Sequence, residues 1–542
     1  MTNMRPRIFL AAALVLAVQA AAATGLSEGE ARRFLAQATF GPTEVGVAAL
    51  RQQGKVGWLR GQFALAPSDY PGGAFVNPDR KVGCPTGSPD TCQRDLYTLF
   101  PLQKAFFDNA INQPDQLRQR TALALSQILV VSGNTVKMPY AMANYQRIFL
   151  TNSFGNFRDI LREVTLSPAM GKYLNMANND KANPAKGTQP NENYGREVLQ
   201  LFSVGLWQLN ADGTQKLGAD SKPIAAYDQD TVEGFAHVFT GWTYPPRPGA
   251  AVSKFPNPTN YEGRMVAFAA HHDAGAKKLL NGVTLPAGGS AAADLEAAID
   301  NIFQHANVGP FIGRQLIQQL VTANPSQAYV ARVSAAFNGA SGSPRGDMKA
   351  TLTAILLDPE ASDPAAPNRF GKLREPIVQL THLVRVLGGV SDGVWLRSQS
   401  AALGQPVFSP PSVFSFFSPD GDLPDDASLD GPAFGLFNAS AAFTLSGIFS
   451  TALNGKGVAA DSKVVGASGT RIDLTRWQAL AANPAAMVTE IERVMFAGRI
   501  SEGLRQALLK AAQIAPASKP LDRAKAALFL AAMAPEYLVE HR

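Results

Sequence analysis

The chain has 542 residues, of which 46% are hydrophobic and 17% charged, and its formal net charge is +6 at pH 7. This length suffices for a large core and, by itself, for about two to four domains. The charge is mild for the length and no run of five or more basic residues occurs, so the sequence argues against nucleic acid as a partner.

Residues 1–23 have the layout of a secretory signal peptide. Arg5 and Arg7 precede an apolar run over 8–18, and small residues follow this run. The run is too short to cross a bilayer as a helix, and no later stretch reaches about 18 uncharged apolar residues. The sequence therefore predicts a periplasmic or secreted protein comprising residues 24–542, with no stable membrane span after cleavage.

Apolar residues recur at helical spacing through most of the chain after the signal peptide. The first helix, EGEARRFLAQATF, is predicted to end at Gly41-Pro42. The stretch 294–339 is predicted to form three helices, separated at Gly309-Pro310 and at Asn324-Pro325. The predicted helical segments are 28–40, 113–133, 153–175, 294–339, 347–360, 375–389 and the tail from about 470.

Strand signals are few. A hairpin is predicted around Asp212-Gly213, and 264–268 with 277–282 are predicted to form a second short ribbon. Long Pro/Gly-rich loops occupy 67–90, 243–260 and 404–431. The expected fold class is mainly α, a large multi-helix body with small β-hairpin insertions. No clean linker divides it, so we expect one helical domain over 24–542 with a C-terminal helical segment at about 470–542.

The two cysteines, Cys84 and Cys92, lie in the short Gly/Pro-rich segment RKVGCPTGSPDTCQRD. In an exported chain this arrangement predicts a local disulfide. A metal-binding pair would need two further ligands, which the surrounding sequence does not supply. A nucleophilic thiol would need a histidine, and none is close in sequence.

The segment PNENYGREVLQLFSVG, residues 190–205, is predicted to form a short amphipathic helix with one residue out of pattern. At 100° per residue from Tyr194, Glu197 lies at about 300°, between Val204 and Leu201 on the apolar face. A carboxylate facing a core is costly unless it is paired, and burial raises its pKa, which suits a general acid. Three interpretations stay open: a buried anchor paired with an arginine or the backbone, a catalytic or ligand-binding acid, or an exposed edge residue.

The rest of this helix follows ordinary rules. Asn191 is predicted to cap its start, and Gly205 is predicted to follow its end. Glu192 and Arg196 are four residues apart on the opposite face, so they are predicted to form a surface pair.

A second predicted helix lies in DTVEGFAHVFTGW. Asp230 with Glu233 predicts a capping box at its start, and Gly241 is predicted to end it. Glu233 and His237 are spaced i,i+4 on its polar face, so they are predicted to pair. The favoured interpretation is a solvated or loop-anchoring pair.

The segment FAAHHDAGAKK is a more specific cluster. If it is extended, His271 and Asp273 point to one side and His272 to the other. One histidine, Asp273 and Glu197 would supply a His/carboxylate metal site. A His–Asp pair would equally form a general base. The structural alternative is a turn in which Asp273 caps backbone amides and a histidine packs beside it.

Several common catalytic signatures are absent from the sequence. It contains no H-E-x-x-H, G-x-S-x-G, Walker loop, G-x-G-x-x-G or C-x-x-C-H motif. Their absence argues against the common hydrolase, nucleotide-binding and cytochrome classes, and leaves an uncommon enzyme open.

Seven segments carry a family resemblance, and they occur in the order RRFLAQATFGPT, NENYGREVLQLFSVG, FTGW, HHDAGAKKLLNG, NVGPFIGRQLIQQLV, GQPVFSPPSVF and MAPEYLVEHR. Together they resemble the bacterial exported family catalogued as domain of unknown function 1800. The resemblance runs from about residue 26 to the C terminus. It implies an exported protein and a partner from a co-encoded, sulfatase-like exported family, and it implies no known reaction.

The positions that recur in that family match a defined set here: Phe40, Gly41, Pro42, Asn191, Glu192, Asn193, Tyr194, Arg196, Glu197, Thr240, Gly241, Trp242, His272, Asp273 and Lys277. His237 and His271 lie outside this set, so the resemblance favours His272 and Asp273. Two departures matter. Gly195 lowers local helix stability by up to about 1 kcal/mol relative to alanine. Residues 414–417 read FSFF, where many relatives have a Gly-Trp pair.

Two functions of different class follow. The first is a hydrolase that acts on an envelope or extracellular polymer, with or without a divalent metal. Its catalytic candidates are Glu197, His272, Asp273, Arg196 and Asn193, its metal-ligand candidates are His272, Asp273 and Glu197, and its substrate-lining candidates are the aromatic residues Trp242, Phe416 and Phe417. The second is a non-catalytic helical scaffold that binds the sulfatase-like protein, with NENYGRE as a fold-holding motif.

Overall fold

The structure is a computed structural model that describes residues 25–250, 253–340, 342–362 and 370–540. The predicted signal peptide, residues 1–23, lies outside these residues. Within the described ranges, no helix combines the length and hydrophobicity that crossing a membrane requires.

Helices make up most of the described structure, as the apolar spacing predicts. The α-helices span Glu28–Ala38, Glu44–Ala64, Arg80–Gly83, Cys92–Tyr97, Phe100–Asn112, Gln116–Ile128, Gly133–Val136, Pro139–Asn152, Phe157–Leu166, Pro168–Tyr173, Asn193–Gln200, Gln229–Val238, Ala291–Gln304, Val308–Leu320, Gln327–Phe337, Met348–Leu356, Pro359–Ser362, Pro376–Val386, Val394–Ala402, Ala439–Ala452, Thr475–Leu480, Pro484–Met495, Glu502–Ala511, Pro520–Met533 and Pro535–Leu538. Short 3₁₀ turns lie at Pro184–Lys186, Ala269–His271, Leu280–Gly282 and Pro432–Leu436.

The strands are short and form two-stranded antiparallel sheets. The pairs are Trp242–Thr243 with Val266–Ala267, Lys277–Lys278 with Thr284–Leu285, Lys372–Leu373 with Val539–Glu540, Val390–Ser391 with Thr470–Arg471, and Asp422–Leu423 with Asp426–Asp430. The predicted fold class, mainly α with small β insertions, is therefore confirmed.

One connected hydrophobic core contains side chains from Ala31 near the start of the described chain to Leu538 near its end. The helix Gln116–Ile128 lies inside this core and is buried on almost every side. Its buried residues include Arg118 and Arg120, so two guanidinium groups enter the interior and must find acceptors there.

Most helix predictions are confirmed, with shifted ends. Three helices occupy the 294–339 region. Gly309-Pro310 lies in the first turn of the second one, where an N–H group would have no partner within the helix, so the missing N–H of proline costs nothing. The helix predicted over 113–133 ends at Ile128 instead. The carbonyl of Leu129 accepts a hydrogen bond from the Tyr145 hydroxyl at 2.6 Å, and Gly133 starts another short helix.

The strand predictions are only partly correct. A ribbon does turn at Asp212-Gly213, where the N–H of Asn210 donates to the carbonyl of Thr214 at 2.8 Å. The predicted pairing of 264–268 with 277–282 is wrong, because the two segments pair with Trp242–Thr243 and Thr284–Leu285 respectively. Two-residue strands carry too little sequence pattern to specify a partner.

The predicted disulfide is confirmed. Cys84 and Cys92 are bonded, and their Cα atoms lie 5.9 Å apart. The bond closes the short loop between the helices Arg80–Gly83 and Cys92–Tyr97.

Candidate functional site

The helix Asn193–Gln200, called here the Glu197 helix, is held at both ends by predicted residues. The Oδ1 atom of Asn191 accepts a hydrogen bond from the N–H of Asn193 at 2.9 Å, but Asn191 lies one residue before the N-cap position, which Glu192 occupies without a side-chain cap contact. Gly205 follows the helix with a φ of +80°, and its N–H donates to the carbonyl of Leu199 at 3.0 Å. The position of Glu197 is therefore fixed by local sequence.

Gly195 lets the Glu197 helix lie directly against the helix Gln229–Val238, called here the His237 helix. A Cβ atom at Gly195 would lie 3.1 Å from the backbone nitrogen of Ala236 and 3.3 Å from the carbonyl oxygen of Val232. The sequence alone indicates a loss of helix stability at this glycine. The structure adds that the missing side chain permits the close contact of two helices.

Asn193 and Arg196 contact neighbouring segments. The Asn193 Nδ2 atom donates to Asn175 Oδ1 at 3.1 Å. The Arg196 Nη2 atom donates to Glu192 Oε2 at 2.8 Å, which confirms the predicted surface pair, and to Gln229 Oε1 at 3.0 Å. These two catalytic candidates therefore hold the Glu197 helix to the preceding loop and to the start of the His237 helix.

Glu197 is partly buried, and its carboxylate has no protein partner. The Oε2 atom is buried and accepts no hydrogen bond. The arginine anchor is not what the structure shows, because the Arg196 side chain binds Glu192 on the opposite face. Burial raises the pKa of Glu197, and the charge of Arg196 offsets only part of that rise.

Two tyrosines lie near the Glu197 carboxyl, and the sequence did not single them out. Burial raises the pKa of Tyr173 to about 12, and the Glu197 charge adds to the rise. Burial also raises the pKa of Tyr227 to about 12, with Arg196 opposing and Glu197 adding. The Tyr227 hydroxyl, like Glu197 Oε2, is buried without a hydrogen-bond partner. No helical periodicity marks Tyr227, because it lies in the loop before the His237 helix.

His272 is buried in a separate charged cluster. Its Nε2 atom lies 3.1 Å from Asp294 Oδ2, and its Nδ1 atom lies 3.0 Å from the carbonyl oxygen of Thr240. Lys277 also reaches Asp294, with Nζ 2.8 Å from Oδ2. Sequence reasoning missed Asp294, because an acid in the first turn of the helix Ala291–Gln304 is what any helix start favours.

Asp273 forms the turn that the structural alternative predicts. Its Oδ1 atom accepts from the N–H of Gly275 at 2.7 Å, and its Oδ2 atom lies 2.7 Å from His237 Nδ1. Burial opposes ionisation, but these contacts keep the pKa of Asp273 below its ordinary value. The predicted Glu233–His237 pair is wrong, because Asp273 takes the His237 Nδ1 atom and Glu233 accepts from Gln229 Nε2 at 3.3 Å.

The start of the His237 helix also differs from the prediction. Asp228, not Asp230, is the capping residue, and its Oδ1 atom accepts from the N–H of Thr231 at 2.9 Å.

His271, the neighbour of His272 in sequence, contacts a different acid from Asp273. Its Nδ1 atom lies 3.0 Å from Asp180 Oδ2.

The metal hypothesis needs Glu197, His272 and Asp273 to converge, and the structure gives each one different neighbours. Both ring nitrogens of His272 and both carboxylate oxygens of Asp273 already lie within hydrogen-bond distance of protein atoms. Across the described residues, no group of three or more His, Cys, Asp or Glu is arranged to hold a metal ion. These donor atoms therefore do not fit a shared metal.

The predicted aromatic lining is divided between two places. Trp242 is only 6% exposed, and its Nε1 atom is buried without a partner, so it is a core residue in this structure. Phe416 and Phe417 are partly buried, and Phe417 lines a cavity that does not include Trp242. The three side chains therefore do not line one cleft.

The geometry can be compared with known proteins. Neither the curated proteins nor the solved structures include a match to this chain. A family described as "Protein of unknown function (DUF1800)" matches residues 33–539, a range that includes the Glu197 helix and the His272 cluster. Since the match covers most of the sequence, as the seven ordered segments predict, the chain belongs to the DUF1800 family.

Proposed function

We propose that this chain is an exported hydrolase of an envelope or extracellular polymer, with Glu197 as its proton-transferring group. One observation carries the proposal: Glu197 Oε2 and the Tyr227 hydroxyl are two buried polar atoms without partners, near enough for the carboxylate to raise the tyrosine pKa. Buried polar atoms are normally paired, so each unpaired one calls for an explanation, and groups with strongly perturbed pKa values cluster at functional sites.

The chemistry follows from the two pKa directions. A carboxyl with a raised pKa keeps its proton closer to neutral pH, so Glu197 can protonate a leaving oxygen as the bond to the polymer breaks. The carboxylate that remains can then accept a proton from the water that attacks. Tyr173 and Tyr227 stay protonated because their pKa values are about 12, so their hydroxyls can donate to a substrate oxygen.

Asn193 and Arg196 act as positioning residues in this proposal. They hold the Glu197 helix through Asn175 and Gln229, and neither contact reaches the Glu197 carboxyl. His272 and Asp273 order the turn beside the His237 helix through Thr240 and Gly275.

The test is hydrolysis of purified envelope and extracellular polymers, peptidoglycan among them, measured as release of soluble fragments. Glu197→Gln keeps the size of the side chain and removes its acid. We expect a loss in kcat of at least about 100-fold, which is the ordinary contribution of a general acid or base. Glu233→Gln is the matched control, because Glu233 is an exposed acid on the neighbouring helix.

Two results would overturn the proposal. One is a folded wild-type protein that releases no fragments from any polymer tested. The other is Glu197→Gln activity equal to that of Glu233→Gln. Export has its own test, which is the mass of the protein recovered outside the cytoplasm. This mass should show that an N-terminal segment of about 23 residues has been removed.

A second candidate function has one supporting observation. The ribbon over 206–226 exposes several apolar side chains, including Leu206 at 48% and Leu217 at 58%. Exposed apolar side chains grouped on one element favour contact with another protein. The candidate is a scaffold that binds the co-encoded, sulfatase-like exported protein. Co-purification of that protein with the wild type but not with Leu217→Asp would support it, and equal recovery with both would reject it.

A further inference from the structure

A cavity of about 270 Å³ lies away from the Glu197 helix, and none of its lining residues belongs to that site. Its apolar wall includes Phe417, Leu429 and Phe434. Its polar wall includes Lys372, which begins the short strand Lys372–Leu373, and Glu375, which follows that strand. A mostly apolar cavity with a few charged groups is the usual form of a small-molecule site.

Behind this cavity lies a buried charge cluster. Arg120 has no exposed surface and Glu375 is 5% exposed. Their closest atoms, Nη1 and Oε1, are 3.6 Å apart, which is too long for a good hydrogen bond. Both of these atoms lack a hydrogen-bond partner. The other carboxylate oxygen of Glu375 is well satisfied, since it accepts from Gln127 at 2.9 Å and from Gln405 at 2.6 Å.

Lys372 and Arg120 converge on a single acceptor. The Lys372 ammonium donates to the carbonyl oxygen of Gln319, and Arg120 Nη2 donates to the same oxygen at 2.9 Å. Gln319 is close to the C-terminal end of the helix Val308–Leu320, whose partial negative charge favours cations. Two cations on one carbonyl nevertheless leave positive charge in excess at this wall.

The remaining charges do not remove that excess. Arg374 pairs with Glu540, with Nε 3.2 Å from Oε1. Among the residues that the structure describes, no carboxylate lies within ion-pairing distance of Lys372. Although the residue keeps some solvent contact, its charged end is enclosed, and this burial lowers the pKa of Lys372 to about 8. Three buried cations, Arg120, Lys372 and Arg374, thus face two carboxylates.

Asp430 lines the cavity as well, but its partners are protein groups. Its Oδ2 atom accepts from Arg314 at 2.7 Å and from Gln318 at 3.0 Å. The groups left for a ligand at the wall are therefore the ammonium of Lys372, which has three N–H donors and uses one on Gln319, and the unpartnered Oε1 atom of Glu375.

We infer that the cavity binds a small carboxylic acid that has an apolar body and a hydrogen-bond donor next to the carboxylate, as in an α-hydroxy or α-amino acid. The carboxylate pairs with Lys372 and supplies the missing negative charge. The adjacent donor reaches Glu375 Oε1, and the apolar body packs against Phe417 and Phe434.

Calorimetric titration of the folded chain with four probes tests this inference. The probes are L-phenyllactate, L-phenylalanine, 3-phenylpropionate and phenethylamine. We expect phenyllactate or phenylalanine to bind, 3-phenylpropionate to bind at least about tenfold more weakly because it lacks the donor, and phenethylamine not to bind. Phenyllactate and phenylalanine together distinguish a hydroxy acid from an amino acid. Absence of binding by both, or phenethylamine binding as tightly as either, would overturn the inference.

Two variants locate the binding. Lys372→Gln should weaken binding of the better probe at least about tenfold, whereas Lys349→Gln, an exposed lysine on another helix, should leave it unchanged. Phe417→Ala alters only a partly buried wall residue, so it remains informative if Lys372→Gln does not fold, and it should also weaken binding. Unchanged binding in folded Lys372→Gln, or in Phe417→Ala, would place the ligand elsewhere and reject the inference.

Discussion

The Glu197 site and the Lys372 cavity both contain buried polar atoms without partners, but they differ in origin and charge. The Glu197 site is built by neighbouring helices and holds a carboxyl whose pKa is raised. The Lys372 cavity and the charge cluster behind it join residues as far apart as Arg120 and Glu540, and the cavity wall holds an amine whose pKa is lowered. In both sites burial penalises the charged form of the side chain. Glu197 therefore tends to keep its proton, and the ammonium of Lys372 is stabilised by an anion that binds beside it.

The largest effect is expected from a substitution that breaks the buried charge cluster around Glu375. Arg120→Met removes the guanidinium that lies 3.6 Å from Glu375, and among the described residues no other cation of the cluster lies within ion-pairing distance of that carboxylate. We expect the free energy of unfolding to fall by about 3 to 5 kcal/mol. Urea denaturation checks this, with Arg158→Met, which removes a partly exposed arginine, as the control. A loss equal to that of the control would mean that the cluster carries no such charge coupling.

Next in size is the catalytic effect at the other site. Tyr227→Phe removes only the hydroxyl that has no partner, so the fold should keep its stability while kcat falls about 100-fold. Fragment release at saturating polymer and a parallel melting curve separate the two quantities. A stability loss with unchanged kcat would assign Tyr227 to the core instead.

The helix contact gives a smaller effect. Gly195→Val places a branched side chain where even a Cβ atom would lie 3.1 Å from the backbone nitrogen of Ala236. We expect a loss of about 1 to 3 kcal/mol from overpacking. Gly57→Val provides a looser comparison, because the nearest atom to a Cβ there would be the Gln53 Cβ, at an ordinary contact distance of 3.4 Å. Equal losses in the two variants would show that the helices separate without cost.

The smallest effects are opposite slopes of stability with pH. Glu197 has a raised pKa when folded, so its contribution to stability falls as pH rises above its ordinary value near 4.5. Lys372 has a pKa of about 8 when folded, so its contribution rises as pH increases from about 8 toward the ordinary lysine value.

Unfolding of the wild type, Glu197→Gln and Lys372→Met across pH 4 to 10 measures both slopes as differences from wild type. The free energy of unfolding of the wild type minus that of Glu197→Gln should decrease as pH rises. The same difference for Lys372→Met should increase. Slopes of the same sign would contradict the assigned pKa directions.

The two sites also differ in how much of them can be predicted from sequence. Helical periodicity places Glu197 among Val204 and Leu201, so one short segment marks it as unusual. The Asn191 and Gly205 contacts, the Glu192–Arg196 pair and the disulfide follow from spacings of ten residues or fewer. Such features depend on local backbone geometry, and the sequence contains that information.

Long-range contacts escaped prediction for a physical reason. Asp273 contacts His237, and Asp294 contacts His272, because the chain between each pair folds back in turns that a single sequence does not specify. The Lys372 cavity was missed for the same reason, since Arg120 looks like any arginine in an amphipathic helix. Its burial depends on elements that pack around it from every side.

The strand Val539–Glu540 has a consequence for the order of synthesis. It pairs with Lys372–Leu373, and Glu540 neutralises Arg374. About 165 further residues are therefore synthesised after Lys372 and Arg374 before their partners emerge. At ordinary elongation rates this takes many seconds. Folding of the cavity wall must wait until residues 539 and 540 have been synthesised, and a chain truncated before residue 539 lacks both the strand that pairs with Lys372–Leu373 and the carboxylate that neutralises Arg374.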